Sequence, residues 1–151
     1  MTAAIDLQRF VDAQASTYDQ ALAELRQGRK RSHWIWFVFP QIHGLGQSAM
    51  SQRYAIGSSA EARAYLMHPI LGRRLHECVE AVLAVEGRPI ETILGPPDEL
   101  KFRSSMTLFA EVAGEAGVAA APFERALRKY FDGERDALTL SRLKIRTAQP
   151  T

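Results

Sequence analysis

The sequence predicts an all-α protein: a single compact domain of about six to eight short helices with an aromatic-rich helix at its centre. Three observations lead there. Glycines, prolines and capping residues divide the chain into short segments. Between them, apolar residues recur at three- and four-residue spacing. The one run of strong β character, "HWIWFVF" at 33–39, has no second run of similar character to pair with, and an isolated strand is not stable.

The elements follow in order. A first amphipathic piece starts near Asp6 and puts Leu7, Phe10 and Val11 on one face. A second, "YDQALAELRQG", spaces Tyr18, Leu22 and Leu25 helically and stops at Gly28. The aromatic segment is read as a helix capped by Ser32 and ended by Pro40, apolar all round because other helices surround it. Ser58 and Glu61 have capping-box spacing and open a helix that reaches Pro69, which starts the next one. That next helix is the most regular: Leu71, Leu75, Cys78, Val79, Val82 and Leu83 form an apolar stripe ending at Gly87. "PIETILG" is a short helix between Pro89 and Gly95. "DELKFRSSMTLFAEVAG" runs from Asp98 as cap to Gly114, and residues 115–121 form a loop around Gly117. "PFERALRKYFDG" places Phe123, Leu127 and Tyr130 or Phe131 on one face. A last helix, "DALTLSRL", is capped by Asp136, so the domain spans 1–143 and residues 144–151 are a frayed tail.

Composition narrows the function classes. With 151 residues and 46% hydrophobic content, one domain hides its apolar side chains without staples. The single Cys78 has no partner for a disulfide or a zinc cluster and indicates a reducing, cytoplasmic setting. No run approaches the roughly 18 apolar residues of a membrane span. A net charge of +2 is too balanced for a non-specific nucleic-acid binder. The histidines at 33, 43, 68 and 76 share no i, i+3 or i, i+4 pair, so no metal site is expected, and no phosphate-loop or dinucleotide motif calls for a cofactor.

The segments "LQRFVDAQ", "SHWIWFVFPQ", "GLGQS", "YAI", "EARAYLMHPILGRRLHE", "ILGPPDELKFRSSMTLF" and "FERALRKYFDG", in this order over residues 7–143, resemble a family of small bacterial proteins of unknown function. Some of its members carry the automatic name calpastatin. The resemblance implies a mainly α-helical single domain and no assigned activity. Nothing in the chain matches the disordered, repeat-rich, aromatic-poor character that the calpastatin name calls for.

Candidate site residues come from three stretches. In the first, His33 and Trp34 begin the aromatic segment and are expected to reach the surface, where Trp34 would stack on a planar group. Gln41, Gly44, Gly46 and Ser48 follow it as a pocket rim. In "MHPILGRRLHE", Arg73 and Arg74 near His68 suit an anion, with Arg73–Glu77 and His76–Glu80 surface pairs as the plainer reading. In "DELKFRSSMTLF", Lys101, Ser104 and Ser105 lay a polar stripe on a greasy helix. Lys101 desolvated by its neighbours suits a base or nucleophile; with His33 and Ser105 it forms the expected catalytic set. Cys78 is inert core.

Two functions are therefore expected. The first is an enzyme or sensor for a small anionic, phosphorylated or nucleotide-like metabolite held in one polar cleft. The second is a non-catalytic interaction domain that docks a protein partner as a homo-oligomer. Convergence of His33, Gln41, Arg73, Lys101 and Ser105 on one concavity separates them.

Overall fold

Local signals in the sequence become helix ends in space. Ser58 Oγ accepts from the Glu61 N–H at 3.1 Å while Glu61 Oε1 accepts from the Gly57 N–H at 2.9 Å, a near-reciprocal capping box. Gly28 ends its helix in the left-handed region at φ 77°. Asp136 Oδ2 accepts from the Thr139 N–H and hydroxyl at 3.0 and 2.6 Å and opens the last helix.

A computed structural model describes the backbone of residues 5–148 and the side chains of residues 5–144. It contains ten helices among the described residues: α1 Gln8–Ala15, α2 Tyr18–Gln27, α3 Ile35–Val38, α4 Ala49–Arg53, α5 Ser59–Met67, α6 Leu71–Leu83, α7 Ile90–Leu94, α8 Asp98–Val112, α9 Ala121–Phe131 and α10 Ala137–Ala148. No strand forms among them; a single parallel bridge pairs Ile42 with Ile56. The all-α fold class is as expected, with two short elements changed. The aromatic helix is only four residues long, starts after Trp34 rather than Ser32, and ends before Phe39. The five-residue α4, capped by Ser48 through the Ser51 N–H, has no counterpart in the expected set. The last helix also runs beyond Leu143, to Ala148; the rest of the expected tail, 149–151, lies outside the described residues.

Two helices organise the rest. Helix α6 buries Leu71, Leu75, Cys78, Val79 and Val82 and packs on α2, α5 and α9. Helix α8 is buried on most sides because α5, α7, α9, α10 and α3 all pack on it, which explains why apolar residues fall on several of its sides and why Ser104, Ser105 and Thr107 are buried with them. Aromatic edges tie these layers together: Phe39 meets Phe102 at 4.8 Å and 74°, and Phe10 meets Tyr65 at 5.2 Å and 87°. A Cβ at Gly72 would collide with the Leu66 carbonyl oxygen, so the close passage of α6 under the end of α5 requires glycine there.

Asp98 differs from its expected role. Pro97 occupies the cap position, and Asp98 is the first helical residue, with Lys30 at 2.9 Å and Lys101 at 3.5 Å from its carboxylate oxygens. A carboxylate in the first turn is stabilised there by the helix dipole as well.

Candidate functional site

The chain crosses itself where the segment after the aromatics meets the start of α8. Phe39 is anchored on Phe102, and Gln41 O accepts from the Ile56 N–H at 2.8 Å. These two contacts hold the 41–48 turn beside α8. Gly44, at φ 88°, lies against the Arg142 guanidinium of α10; a Cβ would come within 2.7 Å of it. At Gly46 a Cβ would come within 2.6 Å of Ser51 Oγ, so the turn closes on α4 only with glycine.

Between these elements lies a cleft of about 410 Å³, lined by Gln41 and the Leu45–Ser48 turn, Ser51 of α4, Pro97, Leu100, Lys101 and Ser104 of the α8 start, and Asp136 and Leu138 of the α10 start. Its polar groups are partly committed. Ser104 Oγ donates to the Leu100 carbonyl at 3.1 Å, and the Ser48 and Ser51 hydroxyls share one hydrogen bond at 2.9 Å. Asp136 spends Oδ2 on Thr139. Lys101 is half-buried and 3.5 Å from Asp98, which Lys30 already balances at 2.9 Å. Leu100 and Leu138, 58% and 50% exposed, add two apolar faces to the same cleft.

Five of the candidate residues thus line one concavity: Gln41, Gly46, Ser48, Lys101 and Ser104. Gly44 stands just behind it, on Arg142. The others lie elsewhere. Trp34 does not reach the surface as expected: it is fully buried and its Nε1–H donates to Glu24 Oε1 at 2.9 Å. His33 is exposed and outside the cleft. His68 Nδ1 accepts from the Ile70 and Leu71 N–H groups at 3.1 and 3.2 Å, so it serves the start of α6. Arg73 is exposed with Glu77 at 3.9 Å, the plainer reading of that pair. Arg74 lies over the Tyr18 ring at 4.7 Å and reaches Gln14 Oε1 at 3.4 Å. Ser105 is fully buried, and its hydroxyl is the buried side-chain polar atom left without a partner among the described residues. The expected trio of His33, Lys101 and Ser105 is therefore not an assembly: one member faces solvent, one the cleft, one the core.

The most strongly perturbed carboxylate is one that sequence reasoning passed over. Burial works to raise the Glu24 pKa, but the Arg31 and Ser32 N–H groups, the Ser32 hydroxyl and the Trp34 indole all donate to it and hold it at about 2. It organises the 31–34 turn and is closed to any ligand. Burial likewise pushes the Cys78 thiol up to about 12, which suits its expected place in the core. Burial first, and then the hydrogen bond from its hydroxyl to Glu77 Oε1 at 2.6 Å, raise the Tyr18 pKa. Asp136, Ser51, Leu100 and Leu138 were missed as cleft residues. The only sequence signal for any of them was the capping position of Asp136, which gives no direction in space.

The described residues include no group of three or more His, Cys, Asp or Glu able to hold a metal ion, and no helix long and apolar enough to cross a membrane. No curated protein matches the chain. The crystal structure of the conserved hypothetical protein Rv1873 from Mycobacterium tuberculosis is similar at 52% identity and a TM-score of 0.88, over 92% of this chain and 96% of that one. A family model described as "Protein of unknown function (DUF1810)" matches residues 4–143. With the model covering nearly the whole helical array, from α1 to the first half of α10, the chain belongs to the DUF1810 family of proteins of unknown function.

Proposed function

We propose that this protein binds a small polar metabolite bearing one anionic group, in the cleft between the 41–51 segment, the α8 start and the α10 start. The observation that supports this reading is the convergence of Gln41, Ser48, Ser51, Lys101, Ser104 and Asp136 from three distant parts of the chain on one concavity of about 410 Å³, within the usual size range of small-molecule sites. Lys101 holds the anion. Its charge is available because Asp98 has Lys30 as a second, closer partner.

A single lysine suits one carboxylate or one phosphoryl group rather than a polyphosphate. Arg73 and Arg74, which would have enlarged the positive field, are engaged on α6 with Glu77, Gln14 and Tyr18. Catalysis through Ser105 is not part of the reading, since that hydroxyl has no access to the cleft's solvent.

The test is a thermal-shift screen with small carboxylates, amino acids and sugar phosphates, repeated on Lys101→Gln. A ligand at one hundred times its Kd adds about 2.7 kcal/mol of stability. A stabilising compound whose effect survives Lys101→Gln unchanged overturns the role of Lys101. A flat response throughout overturns small-molecule binding and turns attention to the interaction reading.

A further inference from the structure

We propose that the ligand is an amino acid with an apolar side chain, bound as the zwitterion: carboxylate on Lys101, ammonium on Asp136 and side chain against Leu100 and Leu138. This inference rests on the reading of the cleft given above and narrows its ligand.

Charge is the first argument. The cleft contributes one cation, Lys101, and one anion, Asp136, so its formal charge is balanced. A phosphate dianion gains from Lys101 and is repelled by Asp136, whereas a zwitterion satisfies both. Asp136 is unusual among the acidic residues that line this concavity or border it. Asp98 has two lysines within 3.5 Å; Asp136 has no ion pair among the described residues. Its Oδ2 is taken by Thr139, and Oδ1 has no partner among the described residues, which suits an ammonium donor.

The second argument is apolar. Only four large hydrophobic side chains are strongly exposed among the described residues: Ile5, Met67, Leu100 and Leu138. Two of these four line this one cleft, from two different helices. Exposed leucines gathered on a concave polar site match a ligand with an apolar branch. Gln41 and the Ser51 hydroxyl supply neutral hydrogen-bonding groups to orient the carboxylate.

The experiment compares three probes of nearly the same carbon skeleton on the full chain by calorimetric titration: L-leucine, 4-methylpentanoate, which lacks the amine, and isopentylamine, which lacks the carboxylate. L-Leucine is expected to bind, and each truncated probe to bind about tenfold more weakly or worse. Asp136→Asn keeps the helix cap, because asparagine caps as well as aspartate. It is expected to weaken L-leucine about tenfold while 4-methylpentanoate, freed from the Asp136 charge, binds at least as tightly as before, and Lys101→Gln should weaken L-leucine and 4-methylpentanoate but not isopentylamine. Equal affinity for L-leucine and 4-methylpentanoate overturns the zwitterion while keeping an anion on Lys101. Binding of sugar phosphates without L-leucine overturns this inference and leaves the cleft reading standing. No binding of any probe overturns both.

Discussion

Two polar regions lie only one turn of chain apart, and they treat their hydrogen bonds in opposite ways. Around Glu24, each carboxylate oxygen is used, by the Arg31 and Ser32 amides, the Ser32 hydroxyl, the Trp34 indole and the Gln20 amide, and Glu24 is 5% exposed. In the cleft that begins at Gln41, Asp136 uses one oxygen, Lys101 has a partner that is already balanced, and two leucines stand in solvent. The first region is complete without a ligand. The second keeps polar groups unspent, and this contrast, rather than residue type, is what the proposed site rests on.

The strongest way to break the first region is Glu24→Ala. It strands the Trp34 indole in the interior and unpairs two part-buried backbone N–H groups, and urea denaturation should show a loss of about 3–5 kcal/mol. Acid probes the same site in the intact protein. The folded pKa of about 2 lies below the ordinary 4.5, so the unfolded chain takes up the proton first. Stability from Glu24 is present above pH 4.5 and is lost as the pH falls to about 2, a change of about 3 kcal/mol that Glu24→Gln should abolish in a pH series of denaturation midpoints. Gly44→Ala comes next. The residue is at φ 88° against Arg142, so a cost of about 1–2 kcal/mol is expected, reduced in an Arg142→Ala background. Trp34→Phe, which removes the indole donor and shrinks a fully buried ring, should cost about 1–2 kcal/mol and leave ligand binding in the cleft untouched. Smallest is Ser51→Ala: within about 0.5 kcal/mol in thermal unfolding, because the one hydrogen bond of this hydroxyl, to the Ser48 hydroxyl, is solvent-exposed, yet measurable in ligand affinity. A large stability loss for Ser51→Ala would erase the distinction between the two regions.

What was legible in the sequence was the local grammar. The Leu71–Val82 stripe is the buried face of α6, and Ser58, Gly28 and Asp136 end or begin helices where their chemistry places them. These signals act within a few residues, where chain connectivity does the positioning. Trp34 shows where this fails. Its indole partner is Glu24, ten residues back, across a non-helical turn, and a tryptophan beside "RKR" looks exposed until that carboxylate is known to be underneath. Asp98 was read as a cap, but its carboxylate pairs with Lys101 three residues on and with Lys30, which comes from a different part of the chain. The cleft itself depends on three segments separated by some 50 and 30 residues, and no periodicity encodes which of their polar faces will meet. Hence Lys101 and Ser104 could be singled out as a polar stripe, while Asp136 and Leu138 could not be joined to them.

Helix α10 gives the cleft Asp136 and Leu138 and, one turn further on, supports Gly44 through Arg142. On the ribosome this part of the chain emerges after the other nine helices. Helices α1 to α9 can assemble the α6 and α8 core before it appears, but the cleft then lacks a wall and the 41–48 turn lacks its brace. The proposed site is thus completed later than the core beneath it, by a helix that the packing of α6 against its neighbours does not use.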